Sequence, residues 1–260
     1  MSFRKRLIKS LRRRVFAKNY SQKDGFYSQS GQDIFVVQNL FKDKKTGVFV
    51  DIGAHDGITF SNTYYLEKNL GWKGFCFEPN PDVFKQLVEN RTCECFNLAI
   101  ADFTGPASFL KIDGHCQMLS GLIDKYNPEH LARIDDELKE YGGQAHEIKT
   151  TCAQLDDILN DFGIQEVDYL SIDTEGSELN ILKTIDFEHR HYGVVSVENN
   201  YDDNRIAMYM KTKNFKLDAI LQGDEFYING KGVDSNPRDI VQIENESLCL
   251  STAKDNSNDW

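Results

Sequence analysis

Two patterns of hydrophobic residues alternate along the first hundred positions: short apolar runs and segments with helical periodicity. Short runs rich in apolar residues at Val48–Ile52 and Lys73–Phe77 are typical of buried strands, whereas the periodicity of Asp33–Phe41, Ser61–Leu70 and Pro81–Asn90 indicates helices. A glycine follows the second of these helices and a proline begins the third, as is common at helix ends and starts. This alternation of strand and helix predicts a parallel sheet.

Later strands extend the same pattern. Cys93–Ile100 is predicted as the third strand, and Val167–Ile172 and Val194–Val197 as two more. The last two have the continuous apolar character of strands whose two faces are both covered. We therefore predict an α/β fold with a mostly parallel sheet and helices on both faces.

The domain organisation has three predicted parts. Residues 1–27 form a basic leader, residues 28–232 a single domain, and residues 233–260 a polar tail. An insert at residues 103–150 follows the third predicted strand and contains a charged helix from about Pro128 to Tyr141. Inserts of this length often cover a binding site, so we expect it to act as a substrate lid.

Charge is unevenly distributed along the chain. The formal net charge is -11, yet residues 1–18 contain eight lysines and arginines and no acid. The acidic remainder argues against nucleic acid as the main partner. Apolar residues recur at helical spacing among the eight basic residues. This pattern fits either an amphipathic helix on an anionic membrane surface or a solvated leader helix, and both interpretations remain open.

The six cysteines predict a reducing environment. They form no CxxC pair and have no zinc-type spacing with histidine, which indicates reduced thiols in a cytoplasmic protein. If residues 1–18 contact a membrane, the protein would lie peripherally at its inner face.

The loop after the first strand has the order Asp-x-Gly-x-x-x-Gly. Ligands of parallel sheets bind beyond the carboxyl ends of the strands, which makes this loop a candidate cofactor site. Its two carboxylates would repel a pyrophosphate but attract a sulfonium and an ammonium group, so the loop favours S-adenosylmethionine over a dinucleotide. The candidate cofactor residues of the loop are Asp51, Gly53, Ala54, His55, Asp56 and Gly57.

A second cofactor contact is predicted after the second strand. Glu78 follows that strand directly, where an acid can accept hydrogen bonds from both ribose hydroxyls, and Asn80 lies in the same loop. Asp102 follows the third predicted strand and is expected near the adenine. An acid before a Thr-Gly-Pro turn is also ordinary turn chemistry.

Acidic residues follow the fourth and fifth predicted strands. Neighbouring strand tips can bring Asp173, Glu198 and Asn199 together as oxygen ligands for Mg²⁺ or Mn²⁺. The alternative without a metal makes Asp173 or Glu175 the general base, with Glu198 as a further catalytic candidate. Asp173 is also expected to contact the cofactor. Glu178 is interpreted as a helix N-terminal acid stabilised by the helix dipole.

One histidine of the insert, His115, is a further catalytic candidate. It could act as a base or contact the substrate. A lone histidine is more often structural, and both interpretations remain open.

These residues resemble a known family, the FkbM-type methyltransferases, a branch of the class I S-adenosylmethionine-dependent enzymes. The resemblance implies a Rossmann-like fold with a seven-stranded, mostly parallel sheet, and O-methylation, commonly of a sugar hydroxyl in glycans, glycolipids or natural products. It also implies that Gln29, Ser30 and Gln32 approach the cofactor. The family often has lysine before Ile172, where this chain has Ser171. The resemblance covers roughly residues 28–230 and rests on Ser28–Asp33, Phe49–Gly57, Phe77–Pro81, Leu98–Asp102, Leu155–Ile158 and Val167–Glu178.

Two other functions compete with this prediction. A nicotinamide-dependent oxidoreductase could use the same sheet, but Asp51 and the missing GxGxxG motif count against it. A non-catalytic scaffold tethered to a membrane through residues 1–18 would have no physical need for acids at several strand ends. The sequence favours an S-adenosylmethionine-dependent O-methyltransferase with a small-molecule or glycan acceptor.

Overall fold

A computed structural model describes residues 25–199 and 203–230 of the chain. Two sheets and seven α-helices account for most of this part. In chain order the elements are α1 (Gln32–Ile34), a π-helix (Phe35–Leu40), β1 (Val48–Ile52), α2 (Tyr64–Leu70), β2 (Lys73–Phe77), α3 (Pro81–Asn90), β3 (Glu94–Phe96), β4 (Ala99–Ile100), β5 (Gly105–Asp113), a 3-10 turn (Gln117–Leu119), β6 (Gly121–Leu122), a second 3-10 turn (Ile123–Lys125), α4 (Pro128–Tyr141), β7 (Gln144–Ala153), α5 (Leu155–Asp161), β8 (Glu166–Ile172), α6 (Glu178–Thr184), β9 (His191–Glu198), α7 (Asn204–Thr212), β10 (Phe215–Leu221) and β11 (Asp224–Asn229).

The main sheet has seven strands in the order β10-β11-β9-β8-β1-β2-β3. The pairs from β9 to β3 are parallel, while β11 runs antiparallel to both of its neighbours. Strand order reverses between β1 and β8, so their carboxyl ends open a crevice of the kind in which α/β proteins bind ligands. The sheet confirms the predicted seven-stranded, mostly parallel, Rossmann-like fold.

Alternating side chains of β1 enter the two cores of the sheet. Val50 and Ile52 pack in the core that α5, α6 and α7 cover, whereas Phe49 packs in the core that the π-helix, α2 and α3 cover. Both cores consist of fully buried aliphatic and aromatic side chains. Helices therefore lie on both faces of the sheet, as predicted.

The insert forms a second, four-stranded sheet in the order β4-β7-β5-β6. β5 and β7 pair antiparallel over their whole lengths, and the predicted charged helix is α4, with the bounds expected from the sequence. Asn127 caps α4, since its side-chain oxygen accepts a hydrogen bond from the backbone N–H of His130. The insert is thus a folded unit and not an extended loop.

The structure corrects the third predicted strand. Residues 93–100 do not form one strand but two, β3 in the main sheet and β4 in the second sheet. The side chain of Asn97 donates a hydrogen bond of 2.8 Å to the carbonyl of Glu78, where the chain leaves β3. Both strands have apolar residues, so hydrophobicity alone did not reveal the change of sheet.

Two helix predictions also change. The segment predicted as one helix at residues 33–41 begins with α1 and continues as a π-helix, in which the N–H of Phe41 bonds to the carbonyl of Val36. The helix predicted from Ser61 begins instead at Tyr64, because the Ser61 hydroxyl accepts from the N–H groups of Thr63 and Tyr64 in the preceding turn.

The predicted basic segment and polar tail lie outside the described residues. Membrane contact through residues 1–18 therefore stays a prediction. Among the helices of residues 25–199 and 203–230, none combines the length and apolar character that crossing a membrane requires.

Candidate active site

A cavity lies at the carboxyl ends of β1, β2 and β8, with the insert forming its opposite wall. Ten of the predicted site residues line it, together with Gln32, which the family resemblance implied. The sequence therefore located the cavity correctly from the ends of its strands. These ten residues are Gln29, Asp51, Gly53, Ala54, His55, Glu78, Asn80, Asp173, Glu175 and Glu198.

Gly53 allows the first loop to pass directly over the tip of β8. Its φ is +88°, and a Cβ atom at this position would lie 1.7 Å from the carbonyl oxygen of Asp173. The N–H groups of Gly53 and Ala54 both donate 3.0 Å bonds to the carbonyl of Phe77 in β2. No side chain larger than hydrogen fits this position, so glycine is required by close approach as well as by conformation.

Glu78 and Asn80 form the side of the cavity beyond β2. Glu78 accepts hydrogen bonds from the N–H groups of His55 at 3.1 Å and Asn80 at 2.7 Å. Burial raises the pKa of Glu78 to about 7. The Nδ2 atom of Asn80 is buried and has no hydrogen-bond partner, while its Oδ1 atom caps α3. A buried donor beside a carboxylate suits a ligand that carries adjacent hydroxyl groups.

Three carboxylates meet at the opposite end of the cavity. One oxygen from each of Asp173, Glu175 and Glu198 lies within 4.8 Å of the others. Asp173 faces the open cavity, although it lies deep among protein atoms. Burial, together with the charges of Glu198 and Glu175, raises its pKa well above the usual range. Burial and Glu198 raise the pKa of Glu175 in the same direction.

Sequence reasoning missed a fourth carboxylate, Asp224. It begins β11 and lies opposite Glu198 in the antiparallel register. Gln32 donates a 2.6 Å hydrogen bond to it, and burial raises its pKa to about 6. Asp224 follows no predicted strand and belongs to no recognised motif, so only the pairing of β11 with β9 placed it in the cavity. The short apolar run Phe226–Ile228, which follows a glycine and two acids, was the signal that could have located that strand.

Glu178 fixes the loop that carries the carboxylates. It is the first residue of α6, as its interpretation as a helix N-terminal acid required. Its Oε1 atom also accepts hydrogen bonds from the N–H of Thr174 at 3.0 Å, the N–H of Gly176 at 2.9 Å and the hydroxyl of Thr174 at 2.9 Å. Between these two residues Glu175 has a φ of +57°, a strained backbone for a residue with a side chain.

The insert supplies the remaining wall. Arg133 of α4 lines the cavity, with its Nη1 atom 3.9 Å from Oε2 of Glu175. His130 is fully buried behind it, with Nδ1 3.4 Å from the same oxygen. At the mouth, Phe60 exposes 41% of its surface and adds an aromatic face. The insert therefore encloses the cavity, and its proposed movement as a lid stays a prediction.

Three predicted cofactor residues do not line the cavity. Asp56 instead holds the turn that follows it, accepting bonds from the N–H groups of Ile58 and Thr59. Gly57 packs against Arg91, and a Cβ atom there would lie 2.7 Å from the Arg91 side chain. Ser30 donates its N–H to the side chain of Gln32. These residues shape the loops around the cavity.

Three further predicted residues also lie elsewhere. Asp102 is exposed, forms a 2.9 Å ion pair with Lys125 and does not line the cavity. His115 packs against the ring of Tyr141, 4.7 Å between centroids. Asn199 donates its side-chain amide to Glu225 at 3.0 Å. The carboxylate group of the structure is thus Asp173, Glu175 and Glu198, and Glu175 takes the place predicted for Asn199.

Comparison with protein families identifies the chain. A family model for the methyltransferase FkbM domain matches residues 51–217. The chain belongs to the FkbM methyltransferase family. This confirms the resemblance drawn from the sequence motifs, and the matched residues include the first loop, Glu78 and the carboxylate group.

Among curated proteins, the chain is similar to the 2-O-methyltransferase NoeI of Sinorhizobium fredii (strain NBRC 101917 / NGR234). The two are 26% identical over 148 residues, which is 54% of this chain and 58% of NoeI. The match thus spans little more than half of each protein.

Two crystal structures of methyltransferases are also similar. The FkbM methyltransferase of Methylobacillus flagellatus KT is 12% identical, with a TM-score of 0.44 covering 78% of this chain and 48% of that one. The precorrin-6y C5,15-methyltransferase of Geobacter metallireducens GS-15 is 15% identical, with a TM-score of 0.34 covering 75% and 76%. At these TM-scores neither similarity defines details of the site.

The raised pKa of Glu78 predicts a pH-dependent stability. Because its folded-state pKa of about 7 exceeds the ordinary value of 4.5, Glu78 lowers the stability of the folded state as the pH rises from 4.5 to about 7, and the whole cost is present above that pH. Glu78→Gln removes that cost. As the pH is raised from 5 to 8, the free energy of unfolding of the variant should increase relative to that of the parent protein by up to about 3 kcal/mol, measured by urea denaturation. Parallel pH profiles of the two proteins would contradict the assignment.

Proposed function

We propose that this chain is an S-adenosylmethionine-dependent O-methyltransferase that acts on a sugar hydroxyl of a glycan, a glycolipid or a natural product. Family membership supports methyl transfer. The observation that carries the proposal is one cavity with Glu78 and Asn80 on one side and a carboxylate group at the other. The first side suits a nucleoside, and the second suits a cation and a reacting hydroxyl.

The walls of the cavity fit the parts of S-adenosylmethionine. Glu78 can accept from the ribose hydroxyls, and the buried Nδ2 of Asn80 can donate to a ribose oxygen. Apolar side chains of the wall, among them Val83, Ile100 and Phe109, suit the adenine. Gly53 and Ala54 also line the cavity, so the first loop can contact the cofactor there. When bound, S-adenosylmethionine supplies an electrophilic methyl group.

The charge of the cavity also fits a cationic methyl donor. Asp173, Glu175, Glu198 and Asp224 all line the cavity, and the pKa values of three of them, Asp173, Glu175 and Asp224, are raised by burial first of all. Such a group is destabilised by mutual repulsion and is relieved by a positive ligand. Sulfonium and ammonium groups provide that charge, whereas a pyrophosphate would add to the repulsion.

Asp173 is the proposed base. Asp173 is the most exposed of the three clustered carboxylates, and hydrogen bonds to Glu178 hold the loop that follows it. Its carboxylate would take the proton from the acceptor hydroxyl as that oxygen becomes the nucleophile. The carboxylates of Glu175 and Glu198 make Asp173 a stronger base by raising its pKa. Alignment of the acceptor in this corner is the main contribution of the protein to the rate.

Two observations support a sugar as the acceptor. The exposed ring of Phe60 can pack on the apolar face of a sugar. Carboxylates that line the same cavity can accept hydrogen bonds from the sugar hydroxyls. The relative NoeI is by name a 2-O-methyltransferase. The insert would then cover the acceptor, and Arg133 of the insert would line the part of the cavity where the acceptor binds.

A divalent cation is a second proposed ligand of the same corner. Asp173, Glu175 and Glu198 offer three oxygen ligands within 4.8 Å of one another, the donor set that Mg²⁺ and Mn²⁺ prefer. A cation held there would orient the acceptor hydroxyl and lower its pKa. Asn199, originally predicted as a ligand, is engaged by Glu225 and Asp203.

Cofactor binding is tested at Glu78. Glu78→Ala is expected to weaken binding of S-adenosylhomocysteine by about 1 to 3 kcal/mol in calorimetry, because charge-assisted hydrogen bonds to the ribose are lost. Asp102→Ala is the matched control, since Asp102 lies outside the cavity, and should bind like the parent. Binding of NAD without binding of S-adenosylhomocysteine would instead favour the oxidoreductase, and binding of neither would favour a scaffold.

Catalysis is tested at Asp173. The glycan fractions of cells with and without the gene are compared by mass spectrometry. The acceptor should be heavier by the mass of one methyl group in cells that have the gene. Asp173→Asn is expected to abolish that methylation while the purified variant still binds S-adenosylhomocysteine, because proton removal is lost and most cofactor contacts remain. Full methylation by Asp173→Asn would rule out its role as base.

The cation is tested by electron paramagnetic resonance of added Mn²⁺. One bound ion per chain is expected, and Glu198→Gln should weaken its binding at least about 10-fold because one charged ligand is removed. Asp102→Asn serves as the control and should leave binding unchanged. If the parent protein binds no Mn²⁺, the carboxylates act without a metal and the cation proposal is withdrawn.

A further inference from the structure

Three cysteines form a cluster beneath the first loop, separate from the cavity. The Sγ atoms of Cys76 and Cys93 are 3.5 Å apart, and Cys95 pairs with Cys76 in the register of β2 and β3. The thiol of Cys95 donates a 3.5 Å hydrogen bond to the carbonyl of Cys93. Cys76 is fully buried, whereas Cys93 and Cys95, hereafter the β3 thiols, are half-buried. The proposed methyl transfer uses none of these groups.

Arg91 connects this cluster to the first loop. Its buried guanidinium interacts with the sulfurs of Cys76 and Cys93 and forms an ion pair with Glu67. The same group donates a 3.1 Å hydrogen bond to the carbonyl of Gly57 and a 3.0 Å bond to the hydroxyl of Thr63.

The loop depends on these contacts at both ends. The Thr63 hydroxyl that Arg91 contacts donates a 2.6 Å bond to Asp51, at the start of the loop. Asn90, next to Arg91, donates a 2.8 Å bond to the carbonyl of Asp56. A displacement of the chain at residues 90–93 therefore reaches Asp51, Asp56 and Gly57 through hydrogen bonds.

We propose that Cys76 forms a reversible disulfide with one of the β3 thiols, by exchange with a low-molecular-weight disulfide, and that this disulfide loosens the first loop through Arg91. The sulfurs of Cys76 and Cys93 must close from 3.5 Å to about 2.05 Å. Because Cys93 is two residues from Arg91, closing that gap disturbs the guanidinium contacts.

The chemistry of the cluster favours exchange. Hydrogen bonds from Cys76 and Cys93 lower the pKa of Cys95 to about 4, with Arg91 acting in the same direction. A stabilised thiolate at a half-buried position is the arrangement in which cysteines react. Cys76 has no exposed surface, so a reagent from solution must react first with a β3 thiol.

The exchange has two steps. A β3 thiolate attacks one sulfur of the reagent RSSR, whose S–S bond breaks, and RS⁻ leaves as a mixed disulfide forms. The Cys76 sulfur, its proton transferred to a released thiolate, then attacks the protein sulfur of the mixed disulfide and expels the second RS⁻. Two protein sulfurs are oxidised and one RSSR is reduced to two RSH. One RSH carries the proton of Cys76, and the second RS⁻ takes from solvent the proton that the β3 thiol released when it became a thiolate.

Peptide mapping after treatment with glutathione disulfide tests the bond. Trypsin places Cys76 and the β3 thiols in different peptides, residues 74–85 and 92–111. The expected product is a cross-link between these two peptides that dithiothreitol reverses. Cys76→Ser, or Cys76→Ala if serine impairs folding, should leave only a mixed disulfide on peptide 92–111. The control is Cys152→Ser, which replaces a buried cysteine of the second sheet and should still form the cross-link.

Hydrogen exchange tests the effect on the loop. In the oxidised protein, amides of residues 53–63 should exchange at least several-fold faster than in the reduced protein, and oxidised Cys76→Ser should not show this increase. Absence of the cross-link, or a cross-link with unchanged exchange, would overturn the proposal. Neither readout needs S-adenosylmethionine, so failure here is distinct from failure of the proposed function.

Discussion

The close approach of Gly53 to the tip of β8 is the constraint on which the site depends. A Cβ atom at Gly53 would lie 1.7 Å from the carbonyl oxygen of Asp173, and the N–H of Asp173 bonds to the carbonyl of Ile52. The first loop and the carboxylate loop are therefore in backbone contact. This contact joins the two loops whose residues line the same cavity.

The cavity concentrates negative charge at a cost to the folded state. Glu78, Asp173, Glu175 and Asp224 all have pKa values raised chiefly by burial, and Arg133 and His130 of the insert approach Glu175. Proteins retain such arrangements mainly where a ligand or a reaction uses them. The proposed methyl donor, acceptor proton and divalent ion would each relieve the repulsion, so the proposed cofactor binding and catalysis share one electrostatic basis.

A second network stabilises the opposite side of the first loop. Arg91 is almost fully buried and joins Glu67, Gly57 and Thr63, while Asn90 holds Asp56. The loop is thus held from β8 on one side and from the end of α3 on the other. Residues such as Asp56 and Gly57, which resemble cofactor ligands in the sequence, belong to this support.

Much of the site could be predicted because it follows directly from strand ends. Parallel strands bring residues such as Asp51, Glu78 and Asp173 to one edge of the sheet whatever the details of packing. Errors arose where position depends on contacts distant in sequence. Asp224 lines the cavity because β11 pairs antiparallel with β9. Asn199 does not line it, and its side-chain amide donates a hydrogen bond to Glu225 instead.

The sequence by itself determined the fold class, the mostly parallel character of the sheet, the family and the edge of the sheet at which the cavity lies. Hydrophobic periodicity and glycine positions are local properties, and they suffice for these conclusions. Only the tertiary structure decided which carboxylates converge, that residues 93–100 divide between two sheets, and that the insert contributes Arg133 to the cavity. Those features depend on side-chain directions and strand pairing between distant segments, which are fixed only when the two cores pack.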